Sequence, residues 1–299
     1  MRRAAVGLFS FFFLFIRLHG EEVVFATYNV ENYLPMSRSE NGKRVANAGK
    51  PESEIAAVVK VLKKVRPDIL GLNEMGDESM LEDLRKRLKA VGLDYPHHEW
   101  MQGFDEVRHV CLLSRFPIVK RNSRSEIPFP INGHIERMNR GILDVTVEIN
   151  PTYRLRLVGS HLKSRRPVPE YDEMVMRAKE AWFLRDHVVR ILEETPDTNL
   201  LLFGDFNDTK NEYPVRTLTG RRGSSTHMLA LDLADSRGEL WTHYWKTADS
   251  YSRIDYIMVN RGLEKEIVLK KSGVNDSLFW PEASDHRAVY TTISATDKP

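Results

Sequence analysis

Asp205 and Asn207 stand two residues apart in Gly204-Asp205-Phe206-Asn207-Asp208, directly after the apolar run Leu200-Leu201-Leu202-Phe203. A run of that length reads as an interior strand, and the glycine is expected to turn the chain there, leaving a carboxylate and an amide at the strand's mouth. Oxygen donors gathered at an open edge suit a hard divalent cation and a water nucleophile, because Mg2+ takes oxygen ligands and lowers the pKa of bound water. The same spacing also fits an ordinary Asx turn, in which the side chains cap their own backbone. Alone, the motif leaves both readings open.

Five other islands share this layout: Tyr28-Asn29-Val30, Leu72-Asn73-Glu74, Ser160-His161-Leu162, Arg253-Ile254-Asp255-Tyr256 and Ser284-Asp285-His286. Three of them close strand-like runs, Val23 to Tyr28, Ile69 to Leu72 and Leu155 to Val158. Asp255 opens an alternating strand, and Asp285-His286 precedes another from Arg287 to Tyr290. In α/β proteins active groups gather where strand ends and loops meet, so the repetition nominates one rim.

Amphipathic helices must hold those strands. Ile55, Val58, Val59 and Leu62 recur at helical spacing, as do Leu81, Leu84 and Leu88, and then Met174, Ala178, Trp182 and Val189; all three stripes are expected to face the core. Leu143, Val145 and Val147 alternate with polar residues as in a half-exposed strand. Pro35 to Pro51 and Arg221 to Thr226 read as surface loops, and Met101 to Glu106, Phe129 to Arg137 and Thr219 to Met228 as loops that would tune substrate choice. The candidate residues run from Asn29 to His286, which favours one domain over 21–299 carrying a composite site.

The six islands in this order resemble the endonuclease/exonuclease/phosphatase superfamily, with its pancreatic-type DNases, exonuclease III-like nucleases, sphingomyelinases and inositol polyphosphate 5-phosphatases. The resemblance runs from Phe25 to about Ile293 and looks like that of a secreted bacterial-type member. It implies an α/β fold, a DNase I-like four-layer α/β/β/α sandwich with two mixed, mainly antiparallel sheets. It also implies a division of labour. Glu74 becomes the main metal carboxylate, with Asn29 and Asp285 beside a Mg2+ or Mn2+ ion. Asp205 would orient or deprotonate the attacking water and border the metal; Asn207 would hold a phosphoryl oxygen. His286 would contact the scissile phosphate with Asp255 fixing its tautomer. His161 would donate a proton to the leaving oxygen or clamp the phosphate. Arg140 and Lys163 resemble basic positions that reach substrate phosphate. Asn73 stands where many relatives have Gln, and Arg108-His109 where they often carry Gly or Asp, which leaves the partner of His161 open.

Composition sets the outer bounds. The chain has 299 residues, 41% hydrophobic and 29% charged, ample for a buried core. Arg2 and Arg3 precede an apolar stretch, Ala4 to Ile16, too short to span a bilayer and typical of a secretory signal peptide over residues 1–20. Export to the periplasm or medium is therefore expected, with no stable membrane span after signal removal. Losing that segment takes away three arginines, so 44 basic residues become 41 against 42 acidic and the net charge moves from +2 to -1. Polyanion binding must then rest on local clusters and a bound metal. Cys111 is the sole cysteine, so no intrachain disulfide forms and a buried packing role is expected.

The leading expectation is a metal-dependent phosphoester hydrolase using a metal-activated water, a nuclease on DNA or RNA, acting as a monomer. The alternative is a phosphatase or phosphodiesterase on a lipid head group, inositol phosphate or other small ester, and the third a catalytically silent binding protein on the same scaffold.

Overall fold

The computed structural model describes residues 21–40 and 42–298; the expected signal peptide lies outside them. The apolar runs form the middles of two six-stranded sheets. The first orders β17 (Gly273–Val274), β18 (Val289–Ser294), β1 (Glu22–Tyr33), β4 (Ile69–Met75), β6 (His109–Ser114) and β5 (His97–Met101). The second orders β13 (Met228–Ala230), β16 (Asp255–Asn260), β12 (Asn199–Asp205), β11 (Tyr153–Gly159), β10 (Leu143–Asn150) and β7 (Ile118–Arg121). Each has a single parallel pair at its centre, β1 with β4 and β11 with β12, flanked by antiparallel pairs. The two sheets thus repeat one pattern of strand directions that no sequence repeat announces.

Three hydrophobic layers explain why the central strands are apolar on both faces. Between the sheets lie Phe25, Ile69, Leu112, Val145, Leu157, Leu201, Phe203 and Ile257. Outside the first sheet, Tyr28, Leu70, Leu72, Cys111 and Leu113 pack on α1 (Glu52–Val65) and α2 (Glu78–Ala90). Outside the second, Val158, Leu200, Leu202 and Met258 pack on α3 (Glu173–Glu194) and α4 (Tyr213–Thr219). Alternation along β12 sends Leu201 and Phe203 inward and Leu200 and Leu202 outward. A Cβ on Gly71 of β4 or Gly159 of β11 would come within 2.2 or 2.3 Å of the Phe203 ring, so both glycines make room for it between the sheets. Two short helices, α5 (Arg261–Glu264) and α6 (Trp280–Ala283), follow β16 and precede the Ser284-Asp285-His286 island. No helix of the described residues is long and apolar enough to cross a membrane.

Several sequence expectations are corrected. The stripe Met174, Ala178, Trp182, Val189 is not the core face of α3: Met174 is 59% and Trp182 50% exposed. The buried face carries Met176, Ala181, Leu184, Val188 and Ile191 together with Arg177, Glu180 and His187. Those three polar side chains have buried partners, which hydrophobicity alone places outside. Pro35 to Pro51 holds a hairpin, β2 (Met36–Glu40) with β3 (Lys43–Ala48), and Phe129 to Arg137 another, β8 (Pro128–Ile131) with β9 (His134–Arg137). Asn132-Gly133 turns the second with φ of 49° and 82°, the left-handed pair that a tight hairpin needs. A third hairpin joins β14 (His243–Trp245) to β15 (Ser250–Ser252). β16, expected to alternate, is buried along its whole length because Ile257 and Val259 face the layer between the sheets while Tyr256 and Met258 face the layer under α3 and α4.

Gly204 is not where the chain turns. It lies inside β12, paired with Tyr256, at φ 140°, and a Cβ there would sit 1.9 Å from the Ser160 carbonyl oxygen. The glycine lets β12 touch the backbone that leads to His161, while the turn itself comes at Asn207, φ 52°.

Candidate active site

The ends of β1, β4, β11, β12 and β16 and the segment before β18 meet at one rim. Asp205, 1% exposed, is its centre. Its Oδ1 accepts the Asn207 backbone N–H at 2.9 Å, so the Asx turn is real. Its Oδ2 accepts the Asn29 side-chain amide at 3.1 Å and lies 3.5 Å from His161 Nε2 and 3.7 Å from His286 Nε2. From the facing sheet the Asn73 side-chain oxygen accepts the Asp205 backbone N–H at 3.2 Å. Burial, then the charge of Asp255, pushes the Asp205 carboxyl up to about 7, against the opposing pull of His286 and the hydrogen bonds of Asn207 and Asn29.

His286 is gripped from behind. Its Nδ1 is 2.8 Å from Asp255 Oδ2, and the same oxygen accepts the Thr242 hydroxyl at 2.7 Å. Thr242 Oγ1 in turn accepts the Asp255 backbone N–H at 3.0 Å. Burial opposes the charged imidazole, but Asp255 and Asp205 overcome it and hold the group well above its ordinary range. Ser284 ties this segment to β1 by donating to the Asn29 carbonyl at 2.9 Å and accepting the His286 N–H at 3.0 Å.

His161 has the opposite electrostatics. Burial, then Arg140, His286, Arg108 and Lys163, drives it well below its ordinary range, and its Nδ1 is buried without a partner. It stands as a neutral imidazole, able to offer a hydrogen bond rather than a charge. Arg140 is 7% exposed, pairs with Asp105 at 3.0 Å, and keeps Nε and Nη1 buried without partners. Lys163 is spent differently: its ammonium donates to the carbonyls of Ser164 at 3.0 Å and Arg166 at 2.8 Å, which turns it toward its own loop. Asn207 donates its side-chain amide to the Leu162 carbonyl at 3.0 Å.

Glu74, one residue before the end of β4, has φ 61°, a strained conformation for a side chain of its size, and its Oε2 accepts the Asn32 N–H at 2.9 Å. Asp285 sits at the open edge with its side chain 42% exposed, 3.7 Å from His243 Nε2. Among the described residues, two groups of ligating side chains have atoms within 4.8 Å of one another: Asp205, Asp255 and His286, and His243, Asp285 and His286; Glu74 is in neither. The donor chemistry at the rim nevertheless fits a hard cation. Glu31 accepts the Asp285 N–H at 3.0 Å, and burial followed by the Asp285 charge raises its carboxyl, a crowding of acids that a cation would relieve.

Glu31, Lys50 and His243 escape a sequence reading. Glu31 lies two residues beyond Asn29, where β1 bulges, and Lys50 donates to its carbonyl at 3.1 Å. His243 packs its ring 4.6 Å from that of His286, but no apolar strand end precedes it to mark it out.

Comparison with known proteins identifies the family and the fold. The model of the Endonuclease/Exonuclease/phosphatase family matches residues 26–286. Truncated TDP2 from Caenorhabditis elegans superposes with a TM-score of 0.61 at 18% identity, covering 92% of this chain and 98% of that one. The human Nocturnin catalytic domain with bound sulfate gives 0.62 at 17%, covering 92% and 95%, and beta toxin from Staphylococcus aureus 0.60 at 14%, covering 90% and 99%. No curated protein sequence matches.

Proposed function

The chain belongs to the endonuclease/exonuclease/phosphatase family, and on that premise we propose that it is a divalent-metal-dependent phosphodiesterase whose leading substrates are DNA or RNA. The observation that carries this reading is the buried row Asp255, His286, Asp205, Asn29, in which a cationic imidazole and a carboxylate raised to about 7 face one rim. Glu74, Asn29 and Asp285 would hold the ion. Mg2+ or Mn2+ there would neutralise phosphate charge and lower the pKa of a water. Asp205 would receive that water's proton, since a base poised near neutral pH is efficient. His286, kept protonated by Asp255, contributes positive charge to a phosphoryl oxygen. Neutral His161, the Asn207 amide and the unpartnered Arg140 nitrogens supply further donors where charge develops. The chemistry is thus mainly positioning and charge neutralisation, as in phosphoryl transfer generally.

A second reading, a phosphodiesterase on a lipid head group, draws on Trp245, Tyr251, Leu278 and Phe279, which stand exposed on segments flanking His243 and His286. We also read the chain as exported and acting from Glu21 onward. The test is a substrate panel on the chain from Glu21: plasmid DNA, single-stranded DNA, RNA, sphingomyelin vesicles, inositol phosphates and a chromogenic phosphodiester. Chelation should abolish hydrolysis and Mg2+ or Mn2+ restore it, while Asp205→Ala and His286→Ala each lower kcat by orders of magnitude at nearly constant Tm. Hydrolysis of none of these, or full activity in both variants, overturns the reading. Steep weakening of binding with salt marks a nuclease, since each phosphate contact releases counterions; insensitivity with vesicle hydrolysis marks the lipid enzyme.

A further inference from the structure

α3 lies in an outer layer, yet it reaches the rim. Glu180 is fully buried, and its two carboxylate oxygens accept the backbone N–H groups of Asn139 at 2.9 Å and Lys163 at 2.5 Å. One turn earlier Arg177 donates to the Lys163 carbonyl at 3.1 Å and to Asp208 at 2.9 Å. Both backbone groups of Lys163 are therefore held by one helix. The two segments gripped by Glu180 carry Arg140 and His161, and they touch again where the Ser160 hydroxyl donates to the Gly141 carbonyl at 2.9 Å. Neither segment is helix or strand at these points, so regular backbone ladders do not fix them.

A carboxylate in an apolar layer is costly unless its oxygens are satisfied, and two backbone N–H donors satisfy it. Its position gives it a second consequence. We propose that Glu180 is a positioning residue: by clamping Asn139 and Lys163 it sets Arg140 and His161 at a fixed separation and so shapes the edge that receives phosphate. The proposal rests on the phosphoesterase reading for its effect on catalysis, but the clamp itself does not. A misplacement of about 1 Å at such an edge costs about a hundredfold in rate. Arg177, which shares Lys163 and adds Asp208 next to Asn207, makes α3 the common support of three rim segments.

Two measurements test this. In the wild-type chain, amide hydrogen exchange at Asn139 and Lys163 should be slow despite their irregular backbone; free exchange at both overturns the clamp without needing any variant or substrate. Glu180→Gln, nearly isosteric but unable to accept at both oxygens, should lower kcat on the chromogenic diester by about ten- to a hundredfold with KM changed less than about threefold. Added to a chain already bearing Arg140→Ala and His161→Ala, the same substitution should cost less than about twofold, because what it positions is gone. An unchanged kcat in folded Glu180→Gln, or its full cost persisting in that background, refutes the positioning role. If the wild type hydrolyses no diester while both amides are protected, the clamp stands and the functional reading falls.

Discussion

Gly204→Ala should damage stability and chemistry together, and the structure allows both to be worked out. At φ 140° the backbone occupies a region that is nearly glycine-only, which costs an alanine about 1–3 kcal/mol. The new Cβ would lie 1.9 Å from the Ser160 carbonyl oxygen, so β12 and that carbonyl must part by about 1.5 Å to reach the 3.4 Å at which ordinary contact begins. Overpacking against backbone adds about 1–3 kcal/mol. The sum, about 2–6 kcal/mol, is a large part of the stability of a typical domain. The displaced carbonyl is next to His161, and β12 continues directly into Asp205, so the separation falls between two site residues. A shift of this size should lower kcat about a hundredfold under conditions where the variant is still folded. Gly92→Ala is the control: φ is 84°, but no atom lies within 4 Å of its Cβ, so only the backbone cost of about 1–2 kcal/mol applies and activity should be unaffected. Urea unfolding with m-values compared, and kcat on a chromogenic diester, provide the assay. A Gly204→Ala loss no greater than that of Gly92→Ala, or a retained kcat, would refute the close-approach argument.

Three further outcomes are expected. Burial opposes the charge on Asp235, but the backbone N–H groups of Glu239 and Arg237, then the Arg237 and Arg287 guanidiniums, hold it down to about 2. Its folded pKa is depressed, so its contribution is present above the unfolded value of about 4 and lost as pH falls toward about 2; Asp235→Asn should flatten stability against pH in that window, and an unchanged acid limb would contradict the assignment. Cys111 is buried, and burial raises its thiol well above the usual range, so a thiol reagent should label it only at the rate of unfolding; rapid labelling of the native chain would contradict its placement in β6. On α3, Leu184→Ala should cost about 2–5 kcal/mol and Trp182→Ser less than about 1, measured by urea unfolding; the reverse order would restore the stripe read from hydrophobicity.

That reversal marks where sequence reading stops. The strands β1, β4, β11 and β12 were legible because their runs are apolar on both faces, and the two flanking layers require that. α1 and α2 were legible because Ile55, Val58, Leu81 and Leu84 meet an apolar sheet face with little polar chemistry beneath. α3 was not, because its inward polar residues answer groups far off in sequence: Glu180 the amides of Asn139 and Lys163, His187 the carboxylate of Asp144, Arg177 that of Asp208. Their burial is decided by partners, and a local window sees no partners. The hairpins fail more simply, since β2, β3, β9 and β15 are short and carry few apolar residues; the sequence pairs Asn41-Gly42 and Asn132-Gly133 were the signals present.

The site shows the same limit from the other side. At Asp205 the two readings open in the sequence, an Asx turn or a chemical group, do not exclude each other, because a carboxylate has two oxygens. Oδ1 caps Asn207 and thereby fixes the rotamer, while Oδ2 is left to face Asn29, His161 and His286. The turn is what makes the second oxygen's direction reliable. The same economy recurs at Asn29, whose Oδ1 accepts the Glu31 N–H at 3.0 Å while its Nδ2 reaches Asp205. A turn motif at a strand end therefore does not argue against a site. It supplies the rigidity that a group needs if it is to meet a reacting atom within a few tenths of an ångström.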